Sequence, residues 1–441
     1  MSREMKDSGI DCIGQIPSDW DLMRFKFCLD EQLKYGANES GVEYQPDLPR
    51  YIRITDINSD GTLKEEGKLS LNEEQANGFL LKDGDILFAR SGATVGKSFL
   101  YKSEYGNSAF AGYLIKASVN KIVIPEFVNY ITQSSYYDIW KDQIFTQATI
   151  QNISAEKYNQ LPIVIPSKEE QQRIVHFLNK KTDAINSIIQ KQKDIIIKLS
   201  EYKQSMITQV VTNGFEHNVE MKKTSISGLT KIPKTWNVVP LKTLFSFSKG
   251  LSITKSDLTD EGIKVISYGQ IHSKNCDGVH ATNELIRFTA DEFKSNNSLA
   301  KCGGFIFADT SEDLEGCGNA IYITDEVYGG YHTVVLNPKE VHDYRYLAYL
   351  FKTDAWRTEL RKQLTEVKVF SITQFALKNM HVILPSYEEM VQIADFLDSK
   401  CSKINESIER SNKIIQKLEE YKKVLIYNVV TGKIDCRGEV K

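Results

Sequence analysis

The chain has 441 residues, 41% of them hydrophobic, 10% aromatic and 26% charged, with a formal net charge of −3. That length leads us to expect two or three domains, and the composition is that of a folded chain. Apolar runs such as Ile195-Ile196-Ile197 stop far short of the ~20 residues that cross a bilayer, and Met1-Ser2-Arg3-Glu4-Met5-Lys6 carries no signal-peptide core. Membrane and secreted readings are therefore excluded, and a cytoplasmic protein is expected. Seven cysteines, an odd number with no C-x-x-C pair, fit free thiols in a reducing compartment. Residues 1–166 carry 17 Lys/Arg against 23 Asp/Glu, and residues 167–214 carry 8 against 5. Any contact with nucleic acid must then rest on local patches or on a basic partner.

In chain order, residues 1–165 read as a mixed α/β domain. Strand-like runs are Tyr51–Thr55, Asp85–Ala89, Gly112–Ala117 and Leu161–Ile165, and a helix is expected from Pro125 to Trp140. Asp60-Gly61 and Asp83-Gly84 mark turns. Residues 166–214 read as one long helix. Residues 215–384 form a second mixed domain, with a helix expected over Asp343–Leu364 and a turn at Asp277-Gly278. Residues 385–441 hold a second long helix and a tail.

The organisation is a duplication. Pro166–Thr212 aligns without gaps on Pro385–Thr431, with 22 identities in 47 positions at a constant offset of 219. Ile16-Pro17-Ser18-Asp19-Trp20 likewise resembles Ile232-Pro233-Lys234-Thr235-Trp236, and Gly84–Ala89 corresponds to Gly303–Ala308. The helices have stayed alike while the globular parts diverged.

Both helices open on a capping box, Ser167-x-x-Glu170 and Ser386-x-x-Glu389, and close where Gly214 and Gly432 suit a left-handed cap. Ile185, Ile188, Ile195, Leu199, Tyr202 and Met206 form an expected heptad seam, matched by Ile404, Ile414, Leu418, Tyr421 and Leu425, with Gln192 and Ser411 polar at one position. A helix of ~70 Å must bury its stripe on another long helix. Chain direction makes that pair antiparallel, with an approximate two-fold axis. The expected class is α+β: two mixed domains joined by two long antiparallel coiled-coil helices.

Catalytic motifs are near misses. Gly92-Ala93-Thr94-Val95-Gly96-Lys97-Ser98 has three residues between its glycines where a phosphate loop has four. Pro46-Asp47 with Glu66-Gly67-Lys68 has the loose spacing of a metal-dependent nuclease, but the second part reads as a solvated turn. His272, Cys276 and His280 recur every four residues as zinc ligands do, around a turn and with no fourth ligand. No metal site and no catalytic residue is therefore assigned.

Recognition chemistry remains. Tyr51, Arg53, Thr55 and Asp56 form one candidate DNA-reading set. Arg90, Ser91, Thr94 and Lys97 form a second, and Thr146, Gln147, Thr149, Gln151 and Asn152 a third. The second copy offers Ser267, Tyr268 and Gln270, then Asp309, Thr310 and Ser311. Arg side chains read guanine and Asn or Gln adenine.

With its doubled Leu161–Pro166…Glu169-Glu170-Gln171 helix start, its Gly84–Gly92 segment and its Ile16-Pro17…Trp20 opening, the chain resembles the specificity subunit of a type I restriction-modification system. The second copy departs at Met390 and Asp309, where the first has Gln171 and Arg90. The resemblance implies two target-recognition domains reading a bipartite asymmetric site in double-stranded DNA, and a helical ruler between half-sites. It also implies docking of two modification subunits and of restriction subunits. S-adenosylmethionine, ATP and Mg²⁺ would belong to those partners and none to this chain. A coiled-coil adaptor and a stand-alone nuclease are the alternative readings.

Overall fold

The computed structural model describes residues 3–438 apart from 59–60, 93, 146–151, 216–218, 225, 227, 315 and 367–368. It divides into two compact units, Met1–Lys193 with Asn412–Lys441 and Asp194–Ser411. Two helices dominate, α1 (Lys168–Asn213) and α2 (Tyr387–Val430). Each gives one half to each unit, so the first unit holds the start of α1 and the end of α2, and the second holds the reverse. In the first unit Lys422 Nζ donates to Asn186 Oδ1 at 3.0 Å; in the second, Lys203 Nζ donates to Asn405 Oδ1 at 2.7 Å. These are the same bond made twice, because each residue of one is 219 from its counterpart. Rising numbers on α1 meet falling numbers on α2, so the packed helices run antiparallel.

The shielded stripe of α1 is Leu178, Thr182, Ile185, Ile189, Gln192, Ile196, Leu199, Lys203, Met206 and Val210. On α2 it is Leu397, Cys401, Ile404, Ile408, Ser411, Ile415, Leu418, Lys422, Leu425 and Val429. Steps of four and three alternate throughout, the signature of a heptad seam. Ile185, Leu199, Met206, Ile404, Leu418 and Leu425 lie on it as expected. Ile188, Ile195, Tyr202, Ile414 and Tyr421 do not; each sits beside the seam and is exposed. Paired isoleucines satisfy either register, and the buried ends of the helices decide between them.

The helix starts also differ from a full capping box. Ser167 Oγ accepts from Glu170 N at 3.3 Å and Ser386 Oγ from Glu389 N at 3.2 Å. The Glu170 carboxylate is taken by Trp20 Nε1 at 3.0 Å and by Arg3, and the Glu389 carboxylate by Trp236 Nε1 at 3.0 Å. The doubled Pro-x-x-Trp opening and the doubled Glu-Glu are thus two halves of one joint, tying the start of each domain to its helix. At the far ends Gly214 (φ 73°) and Gly432 (φ 72°) adopt the left-handed conformation.

Each unit is built on a four-stranded antiparallel sheet. In the first unit the strands are β1 (Lys34–Tyr35), β2 (Ile86–Ala89), β3 (Ser98–Leu100) and β4 (Leu114–Ala117), in the order β1-β4-β2-β3. In the second they are β5 (Phe245–Lys249), β6 (Phe305–Ala308), β7 (Ala320–Tyr322) and β8 (Thr333–Pro338), in the order β5-β8-β6-β7. Ile86 and Phe88 face the core shared with the helices, while Leu87 and Ala89 face a second core. Phe305 and Phe307 against Ile306 and Ala308 repeat this division. Burial on both faces explains why these strands are continuously apolar.

The two long domain helices expected from the sequence are each broken in two. Pro125–Ile131 is followed by Ser135–Phe145, and Arg345–Leu350 by Asp354–Arg361. At the break a fully buried hydroxyl turns back on the preceding helix, Ser134 to Ile131 O at 2.6 Å and Thr353 to Leu350 O at 2.8 Å. Such local bonds compete with helix continuation.

Candidate nucleic-acid interface

The loop leaving the central strand has the same backbone in both units and opposite chemistry. In the first unit Arg90 N donates to Tyr113 O at 3.0 Å, and Ile153 N to Arg90 O at 2.9 Å. In the second, Asp309 N donates to His332 O at 3.1 Å, and Ile372 N to Asp309 O at 2.9 Å. Each residue is 219 from its counterpart, so Asp309 occupies the place of Arg90 and His332 that of Tyr113. Ile115 pairs with Tyr35 as Val334 pairs with Lys249, which sets Lys249 in the place of Tyr35.

In the first unit the Arg90 guanidinium lies 4.7 Å from the centre of the Tyr35 ring. Ser91 bridges to Asn152, bringing parts of two candidate sets together. Arg90 Nε and Asn152 Oδ1 are buried with no hydrogen-bond partner, and Tyr113 stands 65% exposed. A cation backed by an aromatic ring, next to an amide, can meet a base edge in two dimensions.

The Tyr51 set is different. Tyr51 is buried and its hydroxyl donates to Ala37 O at 2.7 Å, so the ring expected to stack on a base belongs to the core. Arg53 is held by Asp56, with Nε to Oδ2 at 3.0 Å, and donates to Gly67 O at 2.9 Å; Asp56 is itself buried. These groups fold the loop. Thr55 alone of the four is exposed. Thr146, Gln147, Thr149 and Gln151 lie outside the described residues.

In the second unit the Tyr268 ring packs edge-on against His272, Tyr331 and His332, and His272 Nε2 sits 2.9 Å from Thr310 O. Thr310 pairs with Ser371 in a short sheet, as Ser91 bridges to Asn152. Ser311 and Ser267 are buried, and Gln270 Oε1 accepts from Ser267 N at 3.1 Å. Tyr268 and Thr310 are therefore grouped, whereas Ser267, Gln270 and Ser311 support the loop. Tyr35, Tyr113, Lys249 and His332 were missed as candidates. The constant offset equates Tyr113 with His332, but only strand pairing sets them beside Arg90 and Asp309, and Tyr35 and Lys249 likewise need the strand register.

The near-miss motifs have structural partners. The Gly92–Ser98 loop leads into β3, not a helix. Lys97 Nζ donates to the carbonyls of Ile57 and Asn58. The backbone N–H groups of Val95, Gly96 and Lys97 are bonded within the loop and to Ala89. Thr94 is exposed. Lys68 is paired with Glu65, and Glu66 is exposed. Among the described residues no group of three or more His, Cys, Asp or Glu is arranged to hold a metal ion, and no helix is long and apolar enough to cross a membrane.

His280 belongs to an ionic joint of the second unit. Its Nδ1 is 3.2 Å from Asp277 and its Nε2 3.4 Å from Asp398, a residue of α2. Asp277 first and Asp398 next raise the imidazolium to about 9 against the opposing effect of burial. Arg345 also bonds Asp398, and Tyr349 donates to it at 2.5 Å, as Tyr130 donates to Asn179 at 2.6 Å in the first unit. A pKa raised on folding stabilises fully below the unfolded value of about 6.5, and this contribution is lost as pH rises through about 9. Half-buried Lys352 is pushed down by desolvation and acts in the opposite sense. Thermal melts of wild type and His280→Gln from about pH 6.5 to about pH 9.5 are therefore expected to converge, the wild type losing more. Parallel curves would contradict this coupling.

The fold and this paired loop define a duplicated protein with two divergent polar surfaces on a shared frame. A model of the type I restriction-modification DNA specificity domain matches residues 35–199 and 233–420, and the chain belongs to that family. It is thus a DNA specificity subunit of a type I restriction-modification system, and itself non-catalytic. The chain is 24% identical over 442 residues to the type I restriction enzyme MjaVIII specificity subunit of Methanocaldococcus jannaschii, covering 96% of this chain and 95% of that one. It is 21% identical over 361 residues to the type I restriction enzyme StySPI specificity subunit of Salmonella potsdam, covering 76% and 73%. A chain from a structure solved for complex assembly and conformational transition of the type I system shares the fold, with a TM-score of 0.70, 16% identity and coverage of 95% and 99%.

Proposed function

We propose that residues 1–165 and residues 215–384 each read one half-site of a bipartite, asymmetric target in double-stranded DNA. The observation carrying this reading is the paired loop: one backbone frame presents Arg90 with Tyr113 in one copy and Asp309 with His332 in the other. A common frame keeps the approach to the duplex the same, and divergent side chains change the bases accepted. Residues 166–214 and 385–441 act as the ruler between half-sites and as the seat for two modification subunits. Those subunits bind S-adenosylmethionine and methylate adenine; restriction subunits add ATP- and Mg²⁺-dependent translocation and cleavage. The protein works in the cytoplasm. The partners supply the positive charge that clamps the duplex, which the acidic first domain lacks.

The test is single-molecule mapping of adenine methylation in cells with the modification subunit, with and without this chain. A bipartite motif that vanishes with the chain is expected. Replacing residues 1–160 with the first domain of another family member should change one half-site only. A change in both halves, or no chain-dependent motif beside an active methylase, would refute the modular reading.

A further inference from the structure

We infer that Asp309 is a specificity-determining residue that accepts a hydrogen bond from the exocyclic amino group of a base, cytosine N4 or adenine N6, in the half-site read by the second domain. The inference rests on the two-domain reading above and assigns a base chemistry to one position within it.

Three features of this place support the assignment. Asp309 leaves the central strand at the same point as Arg90, with both backbone bonds reproduced, so whatever Arg90 faces in its half-site Asp309 faces in the other. The exchange reverses the hydrogen-bonding sense. A guanidinium only donates and so suits guanine O6 and N7, whereas a carboxylate only accepts and so suits an amino group.

The carboxylate is also incompletely satisfied. Oδ1 is buried and has no hydrogen-bond partner, and His332 Nδ1 stands 3.7 Å away, beyond bonding distance. The side chain nevertheless keeps 31% of its exposure. Burial pushes the carboxyl up, against the pull of His332, Thr310 and Lys249. Native proteins seldom leave such an oxygen unmatched, and a group completed by a ligand is a ready explanation.

Finally, His332 is the non-glycine residue with positive φ among those described, at 55°. Backbone held in that region is concentrated at binding and catalytic positions. The imidazole is 57% exposed and packed edge-on to Tyr268 at 5.3 Å, so it stands beside the carboxylate on the open side. Lys249, whose charge acts on Asp309, offsets the repulsion between an aspartate and nearby phosphates, which otherwise argues against an acidic residue at a DNA surface.

The experiment maps methylation motifs in the full complex with the modification subunit, for wild type, Asp309→Asn, Asp309→Ala and Arg90→Ala. Arg90→Ala marks the half-site of the first domain. With Asp309→Asn, methylation of the original motif should fall roughly tenfold or more, and one position of the other half-site should relax or change base. A G·C pair at that position identifies cytosine N4 as the group read, and an A·T pair identifies adenine N6. An unchanged motif at an unchanged rate in both Asp309 variants would overturn the inference. So would a uniform loss over both half-sites, which marks a role in folding, checked by a thermal melt of the isosteric Asn variant. Should the wild type yield no bipartite motif at all, the two-domain reading fails first, and the outcomes are thereby separable.

Discussion

Aspartate at Ile189 is expected to cost the first unit about 3–5 kcal/mol, whereas aspartate at Ile188 costs under about 1 kcal/mol. Adjacent isoleucines with the same helix propensity are thus separated only by the seam. Ile189 is 7% exposed in the core shared by α1, α2 and the first domain; Ile188 is 44% exposed. A carboxylate at 189 both removes the isoleucine from that core and must be neutralised or left unpaired there. For a unit of roughly 200 residues the difference corresponds to about 10 °C in the transition of the full chain. Calorimetry of the two variants decides it, and equal losses would mean that the seam runs through both positions.

Adding one heptad to each helix, after Gln192 and after Ser411, is expected to abolish methylation of the original target, by tenfold or more. Seven residues keep the alternation of four and three intact, so the seam can continue. They lengthen each helix by about 10.5 Å, the axial length of about three base pairs. If the helices hold the half-sites apart, the original spacer no longer spans both readers, and any motif still methylated must have a different one. Four residues inserted at Gln192 alone should do more damage, because the stripe after the insertion no longer matches α2. An unchanged spacer in the matched pair would show that the helices are not the ruler.

Much of this protein is legible in its sequence alone. An ungapped offset of 219 reveals the duplication because packed helices tolerate no insertion, and the two glycine caps follow from left-handed backbone that other residues adopt reluctantly. The central strands were legible as short apolar runs bounded by turns. The register of the seam was not, since paired isoleucines satisfy both choices. Nor were the breaks after Ile131 and Leu350, where the deciding hydroxyls of Ser134 and Thr353 are ordinary residues until they are buried. Tyr51 and Arg53 looked like readers because composition cannot tell a ring in the core or a guanidinium held by Asp56 from one aimed outward.

By itself, then, the sequence determined what depends on neighbours along the chain: the repeat, the caps, the apolar strands and the family. Tertiary structure alone decided what depends on residues far apart. Trp20 reaches Glu170 and Trp236 reaches Glu389, closing each domain onto its helix. Tyr113 and His332 are carried beside Arg90 and Asp309 by strand pairing, not by proximity in the chain. The physical reason is the same in both cases. Local signals come from backbone conformation and periodicity, whereas a reading surface is assembled from loops whose contacts exist only once the sheet has closed.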